Sequence, residues 1–133
     1  MRTMKWSDFE DAINILVLKI QQDRRKYEYV YGIPRGGLIP AIRLSHKLDL
    51  KWTGNPFSFD GKIPIERSKM LIVDDIADTG STLADFHDNG YEIATLYWKQ
   101  ESMVKPRHYV FETDEWVKFP WEEDNTSKRD NDF

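Results

Sequence analysis

The sequence predicts an α/β protein with a central, mostly parallel β-sheet flanked by helices. Strand-like runs alternate with helical segments, and twice a glycine-containing loop joins the two. The apolar run from Met70 to Asp74 (MLIVD) is typical of a parallel strand buried on both faces. A length of 133 residues suffices for one hydrophobic core. We therefore predict a single domain over residues 1–123 and a disordered polar tail over 124–133.

The first half of the chain predicts a helix, a strand, a loop and a second helix. Ser7 and Glu10 have capping-box spacing, and apolar residues then recur every three or four positions to about Asp23. A strand at 27–33, the tight loop PRGG at 34–37 and a helix at 38–48 follow. Residues 51–59 predict a short strand, and the polar segment 58–69 predicts an exposed, mobile covering loop.

The second half repeats the alternation. After the strand at 70–74, residues 81–89 predict a short helix that ends before Gly90. Strands at 93–98 and 108–112 precede the aromatic segment EWVKFPWE at 115–122. Parallel sheets bind ligands beyond the carboxyl ends of their strands, so we expect Asp74 and Asp75 to face a ligand rather than the core.

Composition argues against several classes of function. A net charge of -4 does not favour a nucleic-acid duplex as partner, and the lack of Cys removes thiolate catalysis and Cys-bound zinc. No apolar run is long enough to cross a bilayer or to form the core of a signal peptide. The residues His46, His87 and His108 lack metal-ligand spacing and are predicted to lie on the surface or on helices. We expect a cytoplasmic protein without nucleic-acid or membrane partners.

The stretch LIVDDIADTGST, residues 71–82, places carboxylates beside a phosphate-binding turn. Gly80 permits the tight turn, and backbone N–H groups from about Asp78 to Thr82 can converge on an anion at the helix start. Hydroxyl donors come from Thr79, Ser81 and Thr82. Carboxylates accept hydrogen bonds from ribose hydroxyls and bind Mg2+, so the pattern indicates a sugar phosphate site.

This stretch closely resembles the phosphoribosyl pyrophosphate (PRPP) signature of type I phosphoribosyltransferases. The earlier IPRGG, at 33–37, resembles the pyrophosphate loop of that family. Tyr97-Trp98-Lys99 and EWVKFPWE resemble the purine-binding elements of bacterial xanthine-guanine (6-oxopurine) phosphoribosyltransferases. The resemblance spans about Tyr31 to Glu122 and implies the type I fold with a small hood or lid.

The resemblance also implies roles on the phosphoribosyl side of the site. Asp74 and Asp75 are implied to bind the ribose hydroxyls and Mg2+-PRPP, with Asp75 as the metal ligand, and Asp78 is implied to face the purine N7 as proton acceptor or donor. The implied catalytic residues are Asp78, Asp74, Asp75 and Arg35. The 5'-phosphate is implied to lie on Ala77, Asp78, Thr79, Gly80, Ser81 and Thr82. Pyrophosphate is implied to bind Arg35, Gly36 and Gly37.

On the purine side, Lys99 is implied to donate to the 6-oxo group, Trp116 to stack on the ring, and the backbone around Val117 to contact the other edge. These last two belong to a purine-binding segment at about 113–122. Neither Lys99 nor Trp116 need have a role in binding. As alternatives, Lys99 could simply reach water, and Trp116 could be a packing residue. One departure from the family is Pro34, which stands where Ser is usual, at a point where the loop needs an unusual peptide geometry.

The resemblance predicts a 6-oxopurine phosphoribosyltransferase of purine salvage, with Mg2+ as cofactor and PRPP and a purine base as substrates. It also implies a homodimer or homotetramer. Two other functions stay open at this point. One is a non-catalytic regulator that senses PRPP or a nucleotide on the same fold. The other is a retroviral-type aspartic protease, because such enzymes place a catalytic Asp in an Asp-Thr-Gly-Ser/Thr motif.

Overall fold

The computed structural model describes residues 1–123, and the predicted tail at 124–133 lies outside them. The helices are α1 (Trp6–Gln22), α2 (Leu38–Leu48) and α3 (Ser81–Asp88). The strands are β1 (Arg2–Thr3), β2 (Tyr29–Gly32), β3 (Lys51–Trp52), β4 (Ser58–Phe59), β5 (Ile63–Pro64), β6 (Met70–Ala77), β7 (Glu92–Trp98), β8 (His108–Glu112) and β9 (Val117–Lys118). Five of them form a central sheet in the order β3-β2-β6-β7-β8, in which each neighbouring pair is parallel. The predicted α/β fold class is confirmed.

Strand β6 is buried on both faces, as its apolar sequence predicts. Leu71 and Val73 pack with residues of α1 and α2, whereas Met70 and Ile72 pack with Leu83 of α3 on the opposite face. Each of the four strand residues is 0% exposed. Two helices therefore cover one face of the sheet and α3 covers the other.

The strand order creates a switch point between β2 and β6. The chain passes from β2 outward to β3 on one side, and from β6 outward to β7 on the other. Strand β2 ends at Gly32, paired with Val73, while β6 continues to Ala77 beside β7. Connections that leave neighbouring parallel strands in opposite directions open a crevice at their carboxyl ends. The fold thus brings the PRGG loop and the end of β6 together at this crevice.

Some predicted bounds are confirmed and others are wrong for local reasons. Helix α2 and strand β8 have the predicted bounds. Helix α1 begins at Trp6, because the Asp8 side chain accepts a hydrogen bond from the Lys5 N–H at 2.9 Å, and Ser7 with Glu10 does not form the cap. The strand predicted over 51–59 ends at Trp52, since Thr53 Oγ1 accepts from the Asn55 N–H and the chain turns there.

Two further departures involve short strands. The predicted covering loop contains an antiparallel hairpin, in which β4 pairs with β5. Strands β1 and β9, which the sequence analysis does not predict, form a separate parallel pair. Two-residue strands carry no periodicity, so a sequence pattern cannot reveal them. The pair ties the N-terminal residues to the aromatic segment near the end of the described chain.

His108 is buried on β8, and its predicted surface position is wrong. It is 3% exposed, and its Nε2 lies 2.9 Å from the hydroxyl of Tyr27. Burial lowers the pKa of His108 from its ordinary value, and the nearby charges of Asp23, Arg107 and Glu92 modify that effect in both directions. Burial likewise raises the pKa of the Tyr27 phenol. The folded protein therefore favours a neutral imidazole.

We predict that His108 makes the protein less stable in mild acid. The unfolded chain takes up a proton at this imidazole below its ordinary pKa of 6.5, and the folded protein resists that proton. The free energy of unfolding should therefore fall as pH drops below that value, by up to about 1.4 kcal/mol per pH unit. Urea unfolding between pH 8 and 5 measures this slope. His108→Asn should reduce the slope, whereas His87→Asn, at an exposed position, should leave it unchanged; equal slopes in all three proteins would contradict the assignment.

Candidate active site

A cavity of about 120 Å³ lies at the switch point between β2 and β6. One wall comes from the loop that leaves β2, and the other from the end of β6 and the start of α3. The predicted site residues that line it are Arg35, Gly36, Asp74, Asp75, Asp78, Thr79, Gly80, Ser81 and Thr82. The structure thus places three predicted elements around one cavity: the pyrophosphate loop at 33–37, the carboxylate pair at 74–75, and the phosphate-binding turn at 78–82, which we call the phosphate turn.

The two neighbouring carboxylates differ in exposure because side chains alternate along β6. Asp74 is half-buried and Asp75 is 2% exposed, although both line the cavity. Asp75 Oδ1 accepts a hydrogen bond from the Ile76 N–H at 2.8 Å, and its Oδ2 lies against Gly36 so closely that a Cβ there would overlap it. Asp75 therefore contacts the loop that carries Arg35, while Asp74 presents more of its surface to the cavity.

The PRGG loop is held closely against β6. Its Pro34–Arg35 peptide bond is cis, at the position of the predicted unusual peptide geometry. The Gly37 N–H donates to the Ile33 carbonyl at 2.8 Å, and the Ile33 N–H donates to the Val73 carbonyl at the same distance. A Cβ on Gly37 would overlap the Val73 carbonyl, so the approach requires glycine. The exposed Arg35 side chain belongs to a loop with a fixed backbone.

The phosphate turn has the geometry of an anion site at a helix start. Gly80 precedes α3 with a left-handed φ of +84°, which side-chain-bearing residues rarely adopt. The Thr79 and Ser81 hydroxyls are 3.1 Å apart, and the Ser81 N–H donates to Thr79 Oγ1 at 3.3 Å. Convergent N–H and hydroxyl groups at the N-terminus of a helix favour a phosphate group.

Lys99 lies beside Asp78 and is buried. Its Nζ is 3.1 Å from Asp78 Oδ1, and Lys99 is 8% exposed. The alternative of a solvated lysine is therefore wrong. The Lys99 N–H donates to the Ala77 carbonyl at 3.0 Å, which fixes the backbone of this residue at the end of β6. A cation and a carboxylate thus lie side by side next to the cavity.

The segment at 113–122 is supported by the N-terminal residues. The Arg2 N–H donates to the Trp116 carbonyl at 2.8 Å, and the Met4 N–H to the Lys118 carbonyl at 2.9 Å. Backbone groups alternate in direction along a strand, so the N–H and C=O of Val117 point away from β1. Trp121 stacks on Phe119 with centroids 5.1 Å apart, which makes it a packing residue, whereas Trp116 is half-buried. Trp116 and Val117 do not line the cavity itself.

The fold and the cavity are typical of proteins that bind a phosphorylated sugar at the switch point of a parallel α/β sheet. No protein-family model matches the chain. A purine phosphoribosyltransferase from Pyrococcus horikoshii has a similar structure, with a TM-score of 0.75, 35% sequence identity, and coverage of 92% of this chain and 94% of the other. The xanthine-guanine-hypoxanthine phosphoribosyltransferase of Helicobacter pylori shares the fold, with a TM-score of 0.74, 21% identity, and coverage of 91% of this chain and 92% of the other. The xanthine-guanine phosphoribosyltransferase of Gluconobacter oxydans is 29% identical over 90% of this chain and 83% of its own length.

The chain belongs to the purine phosphoribosyltransferase family and has the type I fold. The resemblance inferred from the sequence motifs is thereby confirmed. The protease alternative does not agree with the fold, because the DTGS sequence lies at a strand-to-helix junction of a parallel sheet. Within residues 1–123, no helix is long and apolar enough to cross a membrane.

We predict that Gly80→Ala destabilises the protein more than Gly90→Ala. Both glycines have positive φ, at +84° and +87°, so each substitution costs about 1–2 kcal/mol in backbone strain. A Cβ on Gly80 would also lie 2.6 Å from Ser102 Oγ and 2.9 Å from the Met103 nitrogen, whereas Gly90 has open space around it. Urea unfolding gives the two free energies, and equal losses would show that crowding at Gly80 is relieved at no cost.

Proposed function

We propose that the protein transfers the 5-phosphoribosyl group from PRPP to a 6-oxopurine base and releases pyrophosphate, in purine salvage. The observation that carries the proposal is the Lys99–Asp78 pair, with Nζ 3.1 Å from Oδ1 beside a cavity lined by the PRPP motif. Relatives named xanthine-guanine phosphoribosyltransferase and a purine phosphoribosyltransferase of similar structure support the same reaction class.

The pair matches one edge of a 6-oxopurine. That edge carries an oxygen acceptor at C6 next to N7, which can carry a proton. The Lys99 ammonium can donate to the oxygen while the Asp78 carboxylate accepts the N7 proton. Adenine presents an amino group at C6 instead, and its N–H donors would face the Lys99 donors, so the hydrogen bond from Lys99 to the base would be lost. A hydrogen bond to a charged group contributes about 1.5–3 kcal/mol, so the pair favours oxo over amino bases.

The phosphoribosyl half of the site is consistent with the charge that develops during transfer. Breaking the bond between C1' and pyrophosphate builds positive charge on the ribose ring, which the Asp74 and Asp75 carboxylates stabilise. The Arg35 guanidinium is the protein group proposed to bind the departing pyrophosphate. The phosphate turn holds the other end of the sugar, so the proposed mechanism relies on position and charge and requires no covalent intermediate with the protein.

The residues present fit a Mg2+ ion that arrives with PRPP. No group of three or more metal-ligating side chains occurs in the described part of the chain, but two carboxylates lie at the cavity wall. Mg2+ is commonly held by one or two carboxylates together with substrate phosphates. Held there, the ion would neutralise charge on the pyrophosphate. Asp75 is the predicted ligand, and Asp74 is the more exposed of the two carboxylates.

The 2-position of the base is proposed to meet the backbone of Val117. Its N–H and C=O point away from β1, as the register shows, so one strand position offers both a donor and an acceptor. A donor suits the 2-oxo group of xanthine and an acceptor suits the 2-amino group of guanine. Trp116, half-buried beside it, is proposed to stack on the ring.

The enzyme needs a base site, whereas a regulator that senses only PRPP does not. Such a regulator gains nothing from a buried Lys99 paired with Asp78, so this observation favours the enzyme over it. A regulator that senses a nucleotide would use the same base site, and turnover distinguishes it from the enzyme. The homodimer or homotetramer and the cytoplasmic location remain predictions.

We predict that Asp78→Asn lowers turnover by about a hundredfold or more while PRPP binding stays nearly intact. The amide cannot take up the N7 proton, and acid-base help contributes about 10²–10⁴-fold in enzymes. Steady-state kinetics and PRPP titration measure the two effects separately. Asp85→Asn removes the same charge from the exposed surface of α3 and should change neither. Equal losses of binding and turnover in Asp78→Asn would contradict a role in proton transfer.

We also predict that the protein releases pyrophosphate from PRPP, in the presence of Mg2+, when guanine, xanthine or hypoxanthine is added. Adenine, orotate and uracil serve as controls and should give little or no release, because they do not match the Lys99–Asp78 edge. If PRPP binds and no base supports release, the regulator hypothesis takes precedence. If PRPP does not bind, the assignment of the whole cavity is wrong.

A further inference from the structure

The turn that follows β7 packs against the outer side of the phosphate turn. We call residues 99–104 the Lys99–Val104 turn. The Ser102 N–H donates to the Lys99 carbonyl at 2.9 Å and closes this turn, and the Met103 N–H donates to the Thr79 carbonyl at 2.8 Å. One short segment therefore begins at the base-binding lysine and ends in a backbone hydrogen bond to the phosphate turn.

Ser102 is the side chain of this segment that meets Gly80. Its Oγ lies 2.6 Å from the position of a Cβ on Gly80, so the hydroxyl packs directly against that Cα. The hydroxyl is itself fixed, because it donates to the Val104 carbonyl at 2.8 Å and accepts from the Val104 N–H at 3.1 Å. Val104 is 2% exposed and belongs to the core that contains Leu83 of α3. Ser102 thus connects the core to the back of the phosphate turn.

We propose that Ser102 is a positioning residue for the sugar-phosphate end of PRPP, acting through Gly80. This inference rests on the proposed function, because it assumes that the phosphate turn binds the 5'-phosphate. Several N–H groups must point at one anion for the turn to bind it, and a shift of Gly80 would spread them apart. Ser102 packs against the side of the phosphate turn that faces away from the cavity, so it makes no contact with substrate.

Ser102 lies behind one wall of the cavity, so its replacement should weaken binding at that wall and not at the other. The pyrophosphate loop forms the opposite wall of the cavity and leaves from β2, where it packs on Val73 and Asp75. Loss of the Ser102 hydroxyl should disturb the phosphate turn and leave that loop unchanged. A general loss of stability would instead affect both walls together.

The test is the binding of two fragments of PRPP to Ser102→Ala by isothermal titration calorimetry. Ribose 5-phosphate probes the phosphate turn, and Mg2+-pyrophosphate probes the opposite loop. We expect affinity for ribose 5-phosphate to fall about five- to tenfold and affinity for pyrophosphate to stay within about twofold, which is the scale of one lost supporting contact. In steady-state kinetics KM for PRPP should rise while kcat changes little.

Two further variants keep the result interpretable. Ser102→Thr retains the hydroxyl and should recover most of the ribose 5-phosphate affinity. Ser45→Ala removes a hydroxyl that bonds the Ile42 carbonyl within α2 and should leave both affinities unchanged. Unchanged affinities in Ser102→Ala, or equal losses for the two fragments, would overturn the inference. A wild-type protein that binds neither fragment would overturn the proposed function itself.

Discussion

The separation of β2 from β6 beyond Gly32 and Val73 is the constraint on which the site depends. Up to that pair the two strands share a parallel ladder, and beyond it the chain leaves β2 as a loop while β6 continues beside β7. The motifs proposed to bind phosphate and ribose all lie at this opening, so the sheet order determines which residues can act together.

Burial gives similar side chains different tasks in this site. Asp74 and Asp75 have the same chemistry and both line the cavity, but Asp75 is buried against Gly36 whereas Asp74 exposes more of its surface. Lys99 is shielded from water and has Asp78 as its partner. A charge pair in such surroundings is weakly screened, so a base that enters beside it meets a strong local field.

The sequence predicted the fold class and most of the residues that line the cavity, because both follow from strong local patterns. An apolar run followed by two acids indicates β6, although the strand continues past the acids to Ala77, and DTGST indicates the turn that follows. It did not predict the burial of His108 or Lys99, since burial depends on which elements pack together. Strands β1 and β9 were also missed, because their pairing is between residues more than a hundred positions apart and needs a tertiary structure to form.

The Lys99–Val104 turn links the two halves of the site through one short covalent segment. Its first residue lies in the proposed base site, and the Met103 N–H donates to the turn proposed to hold the sugar phosphate. In the proposed mechanism, base preference and affinity for PRPP therefore depend on the same segment. Exchanging this segment with that of a relative, in order to change the accepted base, would also change how the phosphoribosyl donor is held.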